Sequence, residues 1–144
     1  MKEYKVKVCN DRTDWYNLED KRHREDGPAV ELANGYKYYY INGKLHREDG
    51  PAVECSNGDK YYFINGKRHR EDGPAVEWAN GDKSYYINDK LHREDGPAVE
   101  DVDGYKYYYI KDKNLTEEEF NNRTKSCKNK IVEIEGIKYK LSKV

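Results

Sequence analysis

The sequence predicts an all-β protein. The expected architecture is an open, curled antiparallel β-meander of about five 23-residue hairpin repeats, capped by a short C-terminal helix and a final β-hairpin. Three observations lead there. The string His-Arg-Glu-Asp-Gly-Pro-Ala-Val-Glu occurs four times unchanged, starting at His23, His46, His69 and His92, always 23 residues apart. A fixed period of this size marks stacked structural units. Asn-Gly and Asp-Gly dipeptides, the preferred two-residue hairpin turns, fall between the copies. The segments they bound, such as Lys37-Tyr38-Tyr39-Tyr40-Ile41, are aromatic and β-branched, as strands are.

Composition supports a thin structure. Of 144 residues, 38% are charged and only 35% apolar, yet there are 15 tyrosines at regular positions. Tyrosine supplies large half-buried area with a polar tip, so a single sheet with much surface is expected. The 27 basic and 28 acidic residues give a net charge of -1, which excludes a global pull toward nucleic acid or anionic membrane. Cys9, Cys55 and Cys127 are scattered without metal spacing. They read as free thiols in a reducing compartment, so a cytoplasmic location is expected. No apolar run follows Met1 to Lys5, and no stretch of ten apolar residues occurs. Neither a signal peptide nor a membrane span is expected.

Each element can be justified in turn. Tyr4 to Cys9 alternates as a strand. A polar turn at Asn10 to Asp14 leads to Trp15-Tyr16-Asn17-Leu18, a degenerate first repeat. In the second repeat, Ala29 to Ala33 is a strand, Asn34-Gly35 a turn, Lys37 to Ile41 the return strand, and Asn42-Gly43 the next turn before Lys44-Leu45-His46. The second turn weakens down the chain, to Asn88-Asp89 and then Asp112-Lys113. Arg-Glu-Asp-Gly-Pro then joins one unit to the next. Thr116 with Glu119 forms a capping box, and the acids that follow suit a helix dipole, so a helix is expected over about 117–125. Ile131 to Leu141 alternates around Glu135-Gly136 as a last hairpin. The array is expected to occupy 1–113 and the cap 114–144.

Turn chemistry sets a register. With Asn34-Gly35 as a two-residue turn, Ala33 faces Tyr36, Val30 lies opposite Tyr39, and Glu31 opposite Tyr38. With Asn42-Gly43 as the next, Ile41 faces Lys44 and Tyr39 lies opposite His46. Val30, Tyr39, Ile41 and His46 then share one face, expected to be the packed one. The structural columns are His23, His46, His69 and His92, with Tyr39, Tyr62, Tyr85 and Tyr108. Lys7 stands in the valine column, which suggests a bulge in the first strand or a different capping of the array. The columns that vary are Trp15, Tyr38, Tyr61, Ser84, Tyr107 and Leu32, Cys55, Trp78, Asp101. Recognition is sought there, with Trp15, Tyr38, Tyr61, Tyr107 and Trp78 as candidate partner-binding residues.

The period and the skeleton from Asn42-Gly43-Lys44-Leu45-His46 through Asn57-Gly58 resemble MORN repeats, in particular the MORN-like repeats of YwqK-type antitoxin-like and phage proteins. The resemblance covers about residues 6 to 113 and implies stacked hairpins and partner binding or scaffolding, not a reaction. Where eukaryotic members carry glycines after the histidine, Arg47-Glu48-Asp49-Gly50-Pro51 stands here.

His, Arg, Glu and Asp in one string also invite an enzyme reading. Four identical copies argue instead for a joint, with Asp49-Gly50-Pro51 as turn chemistry and Arg47 and Glu48 pairing along the ladder. No catalytic residues, metal or cofactor are expected. The expected function is non-enzymatic protein binding. With the antitoxin-like resemblance and a composition like that of a small phage or low-GC bacterial product, it points to an inhibitor of a host or toxin complex: a phage anti-defence protein such as an anti-CRISPR, or an antitoxin-like neutraliser. The alternatives are nucleic-acid or small-ligand binding through an exposed aromatic face, and structural self-assembly through the open first strand. No membrane partner is expected.

Overall fold

A computed structural model describes residues 3–128, 131–134 and 137–140. The first unit holds β1 (Lys5–Cys9) and β2 (Arg12–Tyr16). The second holds β3 (Val30–Leu32), β4 (Lys37–Tyr38), β5 (Tyr40–Ile41) and β6 (Lys44–Leu45). The third and fourth repeat that plan with β7 (Val53–Glu54), β8 (Lys60–Tyr61), β9 (Phe63–Ile64) and β10 (Lys67–Arg68), then β11 (Val76–Glu77), β12 (Lys83–Ser84), β13 (Tyr86–Ile87) and β14 (Lys90–Leu91). The fifth holds β15 (Val99–Glu100), β16 (Lys106–Ile110) and β17 (Lys113–Leu115). Helix α1 (Glu117–Lys128) and the pair β18 (Ile131–Ile134) and β19 (Ile137–Lys140) follow.

Eleven strands form one open antiparallel sheet in the order β1-β2-β3-β4-β7-β8-β11-β12-β15-β16-β17. The remaining strands of units two to four pair locally as β5-β6, β9-β10 and β13-β14. The predicted all-β hairpin meander with a C-terminal helix is therefore the observed architecture.

The register differs from expectation by one residue. Val30 pairs with Tyr38 and Glu31 with Lys37. The cause is the first turn, which has three loop residues. The amide of Leu32 donates to Tyr36 O and that of Gly35 to Leu32 O, with Gly35 alone in the left-handed region at φ 91°. A one-residue slip exchanges the faces of a strand. Valine therefore leaves the face of Tyr39 and joins that of Tyr38. The second turn is the two-residue type expected, with Asn42 at φ 48° and Gly43 at 79°, and Ile41 pairing with Lys44. It does not decay down the chain. Asn88-Asp89 and Lys111-Asp112 keep positive φ at both positions. The aspartates secure it by accepting from the preceding hairpin: Asp89 Oδ1 from Arg68 N at 3.0 Å, and Asp112 Oδ1 from Leu91 N at 2.7 Å.

The first unit conceals a compensated shift. Its first turn is one residue shorter, Asn10-Asp11, with Cys9 paired to Arg12. Its second is one residue longer, with Asp20 at φ 59°. The 23-residue period survives, but Trp15 falls in the Tyr39 position and Asp14 in the Tyr38 position. The bonds agree: Trp15 N donates to Ala29 O and His23 N to Trp15 O, as Tyr39 N does to Ala52 O and His46 N to Tyr39 O. Pairing of β1 with β2 is continuous through Lys7, with no bulge.

The centre of the thin core is the alanine of the repeated string. Ala29, Ala52, Ala75 and Ala98 are fully buried. Val30, Val53 and Val76 are buried on the opposite face, each contributing about 1.5–3 kcal/mol by its burial. The capping box forms at α1: Thr116 N donates to Glu119 Oε2 at 2.8 Å, and Glu119 N to Thr116 Oγ1 at 3.2 Å. The helix runs three residues past its expected end. β18 and β19 pair as a hairpin; its expected tip, Glu135-Gly136, lies outside the described residues.

Candidate functional site

The sheet has two unlike faces. The joint face carries the tyrosines of the Tyr39 column, the histidines and the Arg-Glu-Asp-Gly-Pro joints. Arg47 lies over the Tyr39 ring at 4.0 Å, Arg70 over Tyr62 at 4.0 Å and Arg93 over Tyr85 at 4.0 Å. In the first unit Arg24 covers Trp15 at 4.1 Å. Trp15 is thus a joint-face residue and is not grouped with Tyr38, contrary to expectation.

Each arginine is held from several sides. Arg47 Nε donates to Asp49 Oδ1 at 2.9 Å, and Nη1 to Glu54 Oε1 at 2.7 Å and to Pro51 O at 3.3 Å. The expected ladder pairing of Arg47 with Glu48 is not what forms. Glu48 instead stands near His46, with Nε2 to Oε1 at 3.7 Å. The guanidinium also leans on Gly50, where an added Cβ would come within 3.0 Å of Arg47 Cζ. The glycine of the string therefore leaves room for the arginine; φ there is not in the left-handed region, so space and not backbone conformation favours glycine. Burial pushes the Tyr39 hydroxyl pKa up despite the nearby cation. The hydrogen bond from Arg47 holds the Asp49 carboxyl below the usual carboxylate range.

The histidines link units. Nδ1 of His23, His46, His69 and His92 accepts the amide of Asn42, Asn65, Asn88 and Lys111, at 3.0, 3.1, 3.2 and 3.1 Å. Each imidazole binds a turn 19 residues ahead, so this lone pair serves structure. Among the described residues there is no group of three or more His, Cys, Asp or Glu that could hold a metal.

Between successive joints lie open grooves. One of 960 Å³ is floored by Tyr62, Ile64 and His69, and one of 810 Å³ by Tyr85, Ile87 and His92. At the ends, the chain's own aromatic residues take the place of the missing joint. Tyr4 packs edge-on to Trp15 at 5.7 Å. Phe120 of α1 lies 4.9 Å from Tyr108, whose hydroxyl donates to Glu117. Helix α1 therefore packs on the joint face.

The other face is aromatic. Its central row runs Asp14, Val30, Tyr38, Val53, Tyr61, Val76, Ser84, Val99, Tyr107, each paired with the next. Tyr38, Tyr61 and Trp78 come together here as a half-buried cluster. Tyr36 and Tyr38 stack at 6.4 Å. The Cys55 thiol lies close enough to influence both Tyr38 and Tyr61, and burial pushes its own pKa up. Trp78 lies close enough to influence Tyr61 as well. Tyr107, 48% exposed, stands apart in the same row, beyond Ser84 and Val99.

The cluster has a cationic end. A cavity of 200 Å³ is lined by Arg12, Arg22, Val30, Leu32, Tyr38 and Tyr40. Arg12 donates from two nitrogens to Asp14, and Arg22 Nε adds a bond at 3.1 Å. Burial alone would raise the Asp14 pKa, but the two guanidiniums outweigh it and hold the carboxyl below its usual range. Tyr36, Tyr40, Arg12 and Arg22 were not among the sequence candidates. Stepping by two residues from Tyr38 would have reached the tyrosines. No family model and no curated protein matches this chain. Among the described residues no helix is long and apolar enough to cross a membrane.

Proposed function

We propose that this chain is a non-enzymatic repeat protein that binds another protein through its aromatic face. The observation that carries this reading is the grouping of Tyr38, Cys55, Tyr61 and Trp78. These positions differ between repeats, and they gather on one surface around the valines of the repeated string, while the rest of the string builds the other. Half-buried tyrosine and tryptophan beside arginine are the residue types that anchor protein interfaces. The joint-face residues that resemble catalytic groups are engaged with one another and recur unit after unit.

The antitoxin-like resemblance and the lysine-, asparagine- and tyrosine-rich composition support an inhibitory role, as a phage anti-defence protein or a toxin neutraliser. Affinity capture from host lysate with wild type and with Y61A/W78A tests the reading. A stoichiometric protein retained by wild type and lost by the double variant is the expected result. Equal capture by both would remove the aromatic face from the interface.

A further inference from the structure

We infer that the aromatic face takes a proline-rich partner segment in the polyproline II conformation, with an acidic residue at the end that meets Arg12 and Arg22. This rests on the protein-binding reading and specifies what the partner presents.

The first support is pitch. Each repeat adds two strands to the sheet, and neighbouring strands lie about 4.8 Å apart, so equivalent side chains recur every ~9.6 Å. A segment lying across the strands makes the same contact in each unit only if its own repeat matches. Polyproline II completes a turn every three residues, about 9.3 Å. An extended strand repeats its face every ~6.7 Å. An α-helix returns to the same face over a heptad, about 10.5 Å. Over two repeats the mismatch is ~0.6 Å for polyproline II against ~1.8 Å for the helix; a strand falls ~2.9 Å short of the next unit and comes back within ~0.9 Å only at the second, so it cannot make the same contact in each. Tyrosine ridges with valine between them, as in Tyr38, Val53, Tyr61, Val76, are also the aromatic-lined surface such helices dock on.

The second support is charge. At the β2 end of the cluster, Arg12 and Arg22 share one carboxylate, Asp14, and Lys7 pairs in register with the same residue. Two guanidiniums face one carboxylate beside the apolar cavity of Val30, Leu32, Tyr38 and Tyr40, and the Lys7 ammonium stands nearby over the Tyr16 ring at 4.9 Å. A ligand carboxylate balances that excess. From β2 to β11, which carry Arg12 and the approach to Trp78, there are five strand spacings, about 24 Å. Eight polyproline II residues span that length at about 3.1 Å each.

The test uses the full chain and synthetic peptides. One carries a terminal glutamate and proline at every third position. A second has the same composition with prolines four apart. A third is the first with glutamate replaced by lysine. Trp78 fluorescence and NMR shifts of the aromatic face report binding. The first peptide is expected to bind at least tenfold more tightly than the second and several-fold more tightly than the third, and to lose at least tenfold in Y61A. Equal affinity for the first two peptides, or no binding by either, overturns the inference. If Y61A/W78A still loses the captured protein in that case, the protein-binding reading survives and only the ligand class falls. A dimer in ultracentrifugation that Y61A dissolves makes a second copy the occupant and also overturns it.

Discussion

Tyr38 and Tyr39 are neighbours in the chain and opposites in the fold. Tyr39 belongs to a column in which Tyr39, Tyr62 and Tyr85 each lie under a guanidinium at 4.0 Å, and the last member, Tyr108, lies against Phe120 instead. Tyr38 belongs to a row where the equivalent places hold Asp14, Tyr61, Ser84 and Tyr107. The joint face repeats because each of its parts requires the others. The arginine needs the ring beneath it, the glycine beside it and two carboxylates at its nitrogens. The alternate places of the aromatic row, between constant valines, vary because each side chain there is set by its own neighbours: an ion pair at Asp14, aromatic contact at Tyr38, and a buried hydroxyl at Ser84. Invariance between repeats here marks assembly, and under the proposed function variation marks the surface available for recognition.

The strongest way to break this contrast is at one joint. R70A removes the cover of Tyr62, the bonds to Asp72 and Pro74 O, and the partner of part-buried Glu77. Stacking of this kind contributes about 0.5–2 kcal/mol, and a hydrogen bond to a charged group about 1.5–3 kcal/mol. A loss of about 2–4 kcal/mol in urea unfolding is expected. G73A should cost about 1–2 kcal/mol, because its Cβ would stand 2.9 Å from Arg70 Cζ. In the R70A background that cost should nearly vanish, a coupling of about 1–2 kcal/mol. Additive losses would mean that the glycine serves the loop and not the arginine.

A smaller effect sharpens the comparison at the first unit, where the aromatic row begins with a charge. The folded Asp14 carboxyl sits below its unfolded value because of Arg12 and Arg22. Its contribution is therefore present above the ordinary carboxylate pKa of about 3.9 and is lost as pH falls through the folded value. Wild type should be more stable than D14N at pH 7, and the gap in Tm should close on acidification. A gap that widens in acid would reverse the sign.

The hairpin meander, the capping box and the joints were legible in the sequence because period, turn residues and helix-start residues are local signals. The assignment of faces was not. It hung on whether Asn34-Gly35 spans two residues or Ala33-Asn34-Gly35 spans three, and both turns use the same dipeptide. Only the hydrogen bond from Leu32 N to Tyr36 O separates them. Trp15 was misplaced for a related reason, since a shorter first turn and a longer second turn cancel and leave the period intact. Of the site, Tyr38, Tyr61 and Trp78 could be found by asking which columns vary. Arg12 and Arg22 could not, because they meet at Asp14, which takes the place of Tyr38 only through the compensated turn lengths, and Arg22 reaches it from across the second turn of the degenerate unit.

The smallest expected effect tests the aromatic row itself. Tyr107 is 48% exposed and occupies the place that Ser84 holds one unit earlier. The fold already accepts serine there, with Ser84 buried and both neighbouring valines paired across it. Y107S should therefore change unfolding free energy by no more than about 0.5 kcal/mol, as surface substitutions do. The same tyrosine-to-serine change in the Tyr39 column, Y62S, strips the ring from under Arg70 and should cost several times more. Tyr107 also lies beyond the Tyr38–Trp78 cluster, so Y107S should leave partner capture intact while Y61A abolishes it. If Y107S proved as costly as Y62S, the two faces would not differ in kind, and variation between repeats would lose its value as a guide to the binding surface.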